Sequence, residues 1–167
     1  IVVDDASEDN SIMLVNKLKK KETRIIALPE NQGKGNAIKT GVSNCKGKYV
    51  LIQDADLEYN PDDYEKLLEP VFDFNADVVY GSRFVGSEGK RTLYFWNRVA
   101  NYILTTFSNM CTNINLTDME TGFKCFRTSA IKSINLKENG FGFEPEVTAK
   151  LANKNFKFFE VGITCLL

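Results

Sequence analysis

Short apolar runs alternate with amphipathic segments along this chain. Runs rich in β-branched and aromatic residues predict buried strands, and apolar residues spaced three or four apart predict helices. The clearest run is Tyr49–Ile52, and Ile12, Val15 and Leu18 form a helical stripe. Because strands and helices alternate, the sequence predicts an α/β fold with a mostly parallel central sheet flanked by helices. The predicted strands are residues 1–3, 24–28, 48–53, 76–80 and 156–163, with a loop and strand at 118–126.

Three acidic residues follow the apolar run at 49–52. Side chains two positions apart in a strand point to the same face, so Asp54 and Asp56 are expected to emerge together at the carboxyl end of their strand. Open α/β sheets bind their ligands at that edge. Carboxylate oxygens suit Mg²⁺ or Mn²⁺ bridged to a substrate phosphate, and Glu58 offers a third oxygen ligand.

Other polar residues fall at predicted strand ends and helix starts. Asp4 and Asp5 end the first strand, and Ser7 is predicted to cap the following helix. The Gly-Lys-Gly turn at Lys34 suits either a phosphate cradle at a helix amino end or a plain turn. Arg83 follows another strand and presents a guanidinium suited to phosphate.

Three further candidates lie in the second half of the chain. Arg98 starts a predicted helix at 93–111, and two converging arginines would indicate a phosphate site. Asp118 precedes a glycine turn and is either a turn residue or a functional carboxylate. Glu144 is either an ordinary first-turn carboxylate or a functional one.

Composition narrows the chemistry. The 167 residues suffice for one domain with a real core, and the net charge of −1 gives no indication of a nucleic-acid partner. The chain has no histidine, which excludes serine–histidine and cysteine–histidine catalysis and histidine metal ligands. Its chemistry must therefore use carboxylates, lysine, arginine, tyrosine, cysteine or a metal.

Two alternatives share part of this pattern. A strand that ends in Asp54-x-Asp56 resembles the nucleophile motif of haloacid-dehalogenase-like phosphatases, although Glu58 stands where that motif usually continues with Thr or Val. An acidic pair followed much later by an aspartate at a strand end resembles a response-regulator receiver, a non-enzymatic signalling module. The Met-Pro turn usual after that aspartate is absent, and the chain is too long for a receiver.

Taken in order, the motifs resemble the family-two inverting glycosyltransferases with a GT-A fold, and most nearly the polyprenyl-phosphate or dolichyl-phosphate sugar synthases. The resemblance covers essentially the whole chain, and Ala6 stands where the family usually has glycine. The matching segments are Val3-Asp4-Asp5-Ala6-Ser7, Asn31-Gln32-Gly33-Lys34-Gly35, Gln53-Asp54-Ala55-Asp56-Leu57-Glu58, Tyr80-Gly81-Ser82-Arg83-Phe84, residues 118–126 and Gly142-Phe143-Glu144.

This resemblance implies metal-dependent transfer of a hexose from a nucleotide sugar, with UDP-glucose favoured and GDP-mannose as the alternative. The implied acceptor is a polyprenyl phosphate, and the alternative is a sugar hydroxyl of a cell-surface glycan. The implied donor-binding residues are Asp4, Asp5, Ser7, Lys34 and Asp54, and the implied ligands of Mg²⁺ or Mn²⁺ are Asp54, Asp56 and Glu58. The implied catalytic residues are Arg83 and Arg98, which receive the acceptor phosphate, and Asp118, which shapes the site or acts as base for a hydroxyl acceptor.

The sequence also bears on location. No apolar stretch reaches the ~18 residues that span a bilayer, so the chain is expected to be cytoplasmic, at the cytoplasmic face of a membrane if the acceptor is a lipid. The aromatic cluster at 93–96 lies next to Arg91 and Arg98 and suits a lipid headgroup boundary. The stripe of Val99, Tyr102, Ile103 and Phe107 is more simply explained as core.

Both ends of the chain are apolar and look cut within structure. We therefore expect residues 1–167 to be a single glycosyltransferase catalytic domain truncated at both ends. The family resemblance implies a missing first strand between the predicted strands at 1–3 and 48–53. Without it, backbone groups of two neighbours would stay unpaired, so we expect low stability and weak nucleotide binding.

Overall fold

Strands and helices alternate along the chain as the sequence predicts. The computed structural model describes residues 1–86 and 94–164. Its elements are β1 (Val2–Asp4), α1 (Ser11–Leu18), β2 (Ile25–Ala27), α2 (Lys34–Asn44), β3 (Tyr49–Ile52), a 3-10 turn (Pro61–Asp63), α3 (Tyr64–Asp73), β4 (Val78–Ser82), α4 (Phe95–Thr112), β5 (Lys124–Arg127), α5 (Thr128–Lys132), α6 (Phe143–Ala152) and β6 (Phe158–Gly162).

The strands form two groups. The larger is a four-stranded sheet in the order β3-β5-β4-β6. Strand β5 is antiparallel to both neighbours, whereas β4 and β6 are parallel. Three of the four strands therefore run in the same direction. The smaller group is the parallel pair β1-β2. In the described part of the chain, β1 pairs only with β2, and the only partner of β3 is β5.

The larger sheet is packed on both faces. Alternate residues of β4 point to opposite sides, as strand geometry requires. Val78 and Tyr80 join one cluster, and Val79 joins the other. The first cluster includes Phe126, Ala130, Val147 and Leu151 from β5, α5 and α6, and the second includes Leu67, Val71 and Phe123 from α3 and the loop before β5.

Ser7 does not cap a helix. Helix α1 begins at Ser11, and its N-cap residue is Asn10, which makes no side-chain capping bond. Ser7 instead donates its hydroxyl to Asp4 Oδ1 at 2.6 Å, and its backbone N–H lies 3.2 Å from Asp4 Oδ2. The prediction of a cap was wrong because three residues separate Ser7 from the first residue of the helix.

Helix α4 carries polar side chains inward and large apolar side chains outward. Tyr102 is 69% exposed, Phe107 is 67% exposed, and Ile103 is also exposed. The buried positions are Asn101, Thr105 and Ser108. The prediction that this stripe lies in the core is therefore wrong for Tyr102, Ile103 and Phe107. Periodicity identifies the two faces of a helix but not which one packs, and here Thr105 Oγ1 accepts an inward bond from Met119 N at 3.1 Å.

The membrane-related predictions can be examined only in part. Residues 91 and 93, which belong to the predicted aromatic and basic cluster, lie outside the described residues. Tyr94, Phe95 and Trp96 are exposed. No helix in the described ranges is both long and apolar enough to cross a bilayer.

Candidate functional site

Lys34 joins three elements at one edge of the molecule. It is the first residue of α2, and its Nζ lies 2.8 Å from Asp54 Oδ2, just beyond β3. Nζ is also 2.9 Å from Glu144 Oε1 at the start of α6, and Glu144 is only 4% exposed. Burial alone would lower the pKa of Lys34, but the hydrogen bond to Asp54 and the charge of Glu144 raise it. Lys34 is therefore a fixed cation held between two carboxylates.

Asp5 ties the end of β1 to the start of α2. Its carboxylate accepts hydrogen bonds from Gln32 N at 3.2 Å and Gly33 N at 2.7 Å. Gly33 has φ +96°, which a side chain would strain, and an added Cβ would lie 2.8 Å from Asn139 O. The turn is thus built around glycine, and one amide that could have cradled a phosphate is already bonded to Asp5.

Asp4 makes a local turn instead of facing the Lys34 cluster. Both of its carboxylate oxygens accept bonds from Ser7, as described above. Between them, Ala6 has φ +57°, the left-handed region that favours glycine. Ala6 is therefore a strained position, and its conformation agrees with the resemblance described above, in which glycine is usual at this place.

The acidic run after β3 does not share a strand face. Strand β3 ends at Ile52, so Asp54 and Asp56 lie in a loop, and the argument from strand alternation is wrong. Asp56 is exposed, and its Oδ1 accepts a bond from Glu58 N at 2.9 Å. Glu58 Oε1 lies 3.2 Å from Arg83 Nη1. No group of three acidic or cysteine side chains within the described residues is arranged to hold a metal. The metal-ligand assignment stays a prediction.

Arg83 and Asp118 form a buried, forked ion pair. Arg83 Nε lies 2.7 Å from Asp118 Oδ2, and its Nη2 lies 2.9 Å from Asp118 Oδ1. Burial opposes the charge on Arg83, but the bonds to Asp118 raise its pKa far above the usual value. Asp118 is fully buried. The structure therefore places both predicted residues together, with the guanidinium engaged by carboxylates.

Arg98 does not take part in the ion pair between Arg83 and Asp118. It is exposed on α4, and no described residue forms an ion pair with it. Both arginines lie near the ring of Phe84, whose centre is 6.0 Å from Arg83 Cζ and 5.9 Å from Arg98 Cζ. Arg98 also lines a cavity of about 580 Å³ between α4 and residues 115–117. In the same wall, neither polar atom of the buried Asn101 amide has a hydrogen-bond partner among the described residues.

Lys124 was not among the predicted site residues. It is fully buried on β5, donates to Thr121 O, and lies 4.7 Å from the centre of the Tyr80 ring. Burial lowers its pKa to about 8, against the attraction of Glu144 and Asp118. A lysine on a short strand is usually exposed, so its burial could not be expected from sequence. The only signal for Lys124 was its place in the motif at 118–126.

Glu144 was considered but not selected. Its Oε1 lies next to Lys34, while its Oε2 is buried and has no hydrogen-bond partner in the described part of the chain. A first-turn helical carboxylate ordinarily faces water, so sequence gave no reason to expect this burial. Predicted donor residues Asp5, Lys34 and Asp54 do converge at this edge, whereas Asp4 and Ser7 bond to each other.

Comparison with known proteins identifies the family of this chain. The sequence model of the family described as glycosyl transferase family 2 matches residues 1–134. An uncharacterized protein of Methanocaldococcus jannaschii, MJ0544, is 28% identical over 96% of this chain and 73% of its own length. The family match confirms the predicted glycosyltransferase class over the phosphatase and receiver alternatives.

Solved structures share the fold. Glucosyl-3-phosphoglycerate synthase from Mycobacterium tuberculosis, in complex with Mg²⁺ and UDP, superposes with a TM-score of 0.71 at 17% identity, over 98% of this chain and 58% of that one. The same enzyme in complex with Mn²⁺, UDP-glucose and phosphoglyceric acid gives a TM-score of 0.68 at 17% identity, over 97% and 58%. This chain thus spans just over half the length of those solved chains. The likeness confirms the predicted GT-A fold.

Proposed function

Because this chain belongs to glycosyl transferase family 2, we propose that it carries out metal-dependent transfer of a hexose from a nucleotide sugar to a polyprenyl phosphate, with inversion. The observation that carries this proposal is the cluster of Lys34, Asp54 and the Asp5-bound turn inside the matched segment. Fixed cations and oxygen ligands at strand ends suit a nucleoside diphosphate.

The donor we favour is UDP-glucose, with GDP-mannose as the alternative. Complexes of the structurally similar mycobacterial enzyme with UDP and UDP-glucose support this choice. Lys34 begins α2, so its ammonium and the positive end of the helix lie at the same place. Its pKa is raised, so it stays charged at neutral pH and can bind the diphosphate.

The chain offers suitable ligands for Mg²⁺ or Mn²⁺. Asp54, Asp56 and Glu58 would hold the ion, since carboxylate oxygens are the ligands these metals prefer. Asp56 is exposed in the loop after β3, which leaves it accessible to a metal bound to a diphosphate. A bound divalent ion would supply positive charge against the departing diphosphate.

Arg98 and the face of α4 support a lipid phosphate as acceptor. Arg98 lies free of ion pairs with the described residues, beside a cavity whose wall includes the unpaired Asn101 amide. The outward apolar side chains of α4 are adjacent and would contact a lipid chain or bilayer surface, at the cytoplasmic face of a membrane. The phosphoglyceric acid bound to the mycobacterial enzyme supports a phosphorylated acceptor in general.

The proposed reaction needs no general base. A phosphomonoester is largely dianionic at neutral pH, because its second pKa is ~6. One of its oxygens attacks the anomeric carbon, the bond from that carbon to the diphosphate breaks, and the nucleoside diphosphate leaves. Asp118, the candidate base for a hydroxyl acceptor, has both oxygens bonded to Arg83. This engagement favours the phosphate acceptor, with Arg83 and Asp118 acting to position the site.

The donor site is tested by metal-dependent transfer from UDP-glucose. Asp56→Asn should abolish metal-dependent transfer while the circular dichroism spectrum is unchanged, because an amide is a poor ligand for Mg²⁺ or Mn²⁺. Asp73→Asn changes an exposed aspartate of α3 and should keep parental activity. Full activity in Asp56→Asn would refute the assignment.

The acceptor is tested by comparing two phosphorylated substrates. Arg98→Ala should raise the KM for polyprenyl phosphate by roughly tenfold or more and leave the KM for UDP-glucose unchanged. Arg24→Ala, an exposed arginine before β2, serves as the control. Faster transfer to phosphoglycerate than to polyprenyl phosphate would show that the acceptor is a soluble acid.

Membrane contact is tested with the single tryptophan. Trp96 is exposed at the start of α4, so its fluorescence should shift to shorter wavelength when anionic vesicles are added. An unchanged spectrum in the presence of vesicles would argue against contact through this helix.

A further inference from the structure

The loop before β5 connects two parts of the candidate site. At residue 118 it holds Arg83, because both carboxylate oxygens of Asp118 are bonded to that guanidinium. At residue 122 it packs so closely on the donor edge that a Cβ added to Gly122 would lie 2.2 Å from Asp54 Oδ2. Glu120 stands two residues from each of these contacts. Since two residues span at most ~7 Å, its side chain lies within reach of both parts.

Burial along this loop indicates which way Glu120 points. Its two neighbours, Met119 and Thr121, are buried, whereas Glu120 is half-buried. The amides of Met119 and Gly122 donate hydrogen bonds to side chains at 3.1 and 3.0 Å, so the backbone is held on either side of Glu120. The side chain of Glu120 therefore turns from the core toward the open side of a fixed loop. A fixed loop of this kind suits contact with a ligand.

The carboxylate of Glu120 has no bonded partner in the described part of the chain. Burial and the charges of its neighbours act on it, but no hydrogen bond or ion pair does. Burial raises the pKa of Glu120, and the negative charges of Glu144 and Asp118 raise it further, against the attraction of Lys124 and Arg83. A carboxylate that is partly buried and unpaired is unfavourable for the chain alone, and this indicates a role toward a ligand.

Glu144 brings a second unpaired acceptor to the same region. Its Oε1 lies 2.9 Å from Lys34 Nζ, and its buried Oε2 has no hydrogen-bond partner among the residues described. Among the neighbouring charges, that of Glu144 has the largest effect on Glu120. Two neighbouring carboxylates thus have oxygens that can accept further hydrogen bonds. The ligand that suits them carries several hydrogen-bond donors and no negative charge at this place, as the hydroxyl groups of a sugar do.

We propose that Glu120 accepts hydrogen bonds from hydroxyl groups of the hexose that the nucleotide-sugar donor carries, and that it selects which hexose is transferred. This inference rests on the function proposed above. The hexose has to lie beside the diphosphate, for which Lys34 and Asp54 are the proposed contacts, and Glu120 is two residues from the glycine that packs on Asp54. Its two oxygens can accept from neighbouring hydroxyls, and bonds to a charged acceptor are the stronger kind.

The test compares the binding of UDP-glucose with the binding of UDP, which lacks the hexose, by calorimetry in the presence of Mn²⁺. Glu120→Gln keeps the shape of the side chain and removes its charge and one acceptor oxygen. It should weaken UDP-glucose binding roughly tenfold or more and leave UDP binding unchanged. Glu65→Gln, at an exposed position of α3, should match the parent with both ligands.

Donors that lack one hydroxyl group locate the hydrogen bond. The series consists of four analogues of UDP-glucose, each without the hydroxyl at C2, C3, C4 or C6 of the hexose. When the hydroxyl that Glu120 binds is absent, the variant has no bond left to lose. At least one of the four analogues should therefore bind equally well to the parent and to Glu120→Gln.

Thermal stability separates a role in binding from a role in the fold. Because burial and the neighbouring carboxylates raise the pKa of Glu120, its charge disfavours the folded chain near neutral pH. Without ligand, Glu120→Gln should therefore have a Tm equal to that of the parent or above it. A residue that held the loop together would give the opposite change.

Several results would overturn the proposal. One is that Glu120→Gln binds UDP-glucose as the parent does, and another is that it loses affinity for UDP and UDP-glucose alike, which would assign Glu120 to the nucleotide or the metal. A third is that the variant weakens binding of all four deoxy donors as much as that of UDP-glucose. A lower Tm in the variant would assign Glu120 to the fold instead. A parent protein that does not bind UDP would refute the donor site proposed above, and the role of Glu120 with it.

Discussion

The two sheets of this molecule are packed very differently. Every residue of β4 is buried, and α3 and α6 contribute several fully buried side chains to the cores on either face of its sheet. In contrast, α1 has no buried residue, and neither β1 nor β2 has one. Burial follows strand pairing, because a strand with partners on both sides can be covered on both faces.

The candidate donor site lies at the junction between these two regions. Asp5 belongs to the thinly packed region, Asp54 to the well-packed one, and the turn at Gly33 and Lys34 bonds to both. Polar bonds thus hold the site together where apolar packing is absent. Changes in the packed region should cost most, and changes at the junction should cost little and act locally.

The largest effect is expected from Asp118→Ala in the packed region. The variant removes both carboxylate oxygens that hold the largely buried Arg83, and breaking one partner of a buried pair costs about 3–5 kcal/mol. Urea denaturation should therefore show a loss that is large against a total stability of ~5–15 kcal/mol. Asp73→Ala, an exposed aspartate, should change it by less than ~0.5 kcal/mol. A small loss in Asp118→Ala would mean that Glu58 alone compensates the charge.

A matched pair of leucines compares the regions directly. Leu67 is fully buried against β4, so Leu67→Ala should cost about 2–5 kcal/mol, since it leaves a cavity. Leu14 on α1 is 52% exposed, and Leu14→Ala should cost less than ~0.5 kcal/mol. Both values come from urea midpoints at constant slope. Similar costs at the two positions would show that α1 packs more tightly than its exposure indicates.

The third effect depends on pH and concerns Lys124. Its pKa is about 8 in the folded chain against 10.5 as the ordinary value. Between these values the unfolded chain holds a proton that the folded chain does not, so this group makes stability rise with pH over that window. Lys124→Met lacks this dependence. It should exceed the parent in stability by about 1–3 kcal/mol near pH 7, and the gap should narrow as pH rises to about 9.5.

The neighbours of Lys124 set the control for that experiment. Glu144, Asp118 and Glu120 attract its charge, and Lys34 repels it. The pKa of Lys34 is raised, so its own contribution is lost only above the ordinary value of 10.5 and leaves the window unaffected. A gap between parent and variant that stays constant from pH 7 to 9.5 would show that Lys124 does not titrate there.

Much of the fold follows from local patterns in the sequence. Strands β3 and β4 are both visible in the sequence as apolar runs. The turn before α3 is also visible, because Asn60 caps it by accepting a hydrogen bond from Asp62 N at 3.1 Å. The orientation of α4 could not be predicted. Its two faces are both periodic, and the choice depends on distant partners such as Met119, whose N–H bonds to Thr105.

The site was predicted in residue type more than in geometry. Asp54 and Lys34 were both selected, but their bond depends on how α2 meets β3. Glu144 and Lys124 were missed as site residues because a buried charge depends on neighbours far along the chain, such as Lys34 for Glu144. Asp4 and Ser7 were selected for donor binding, and in this structure they bond to each other. Their role in donor binding stays a prediction.

Among the predicted site residues, the smallest effect on stability is expected at the junction, from Asp5→Ala. The variant removes the acceptor of two backbone bonds, from Gln32 N and Gly33 N, in a partly exposed turn. Each such bond contributes about 0.5–1.5 kcal/mol net, and water can replace the carboxylate at the exposed Gln32, so the global loss should be near ~1 kcal/mol. Exchange of the amides at 32–34 should speed up while exchange in β4 stays unchanged. Faster exchange in β4 as well would show that the two regions unfold together and that the contrast in packing does not separate them.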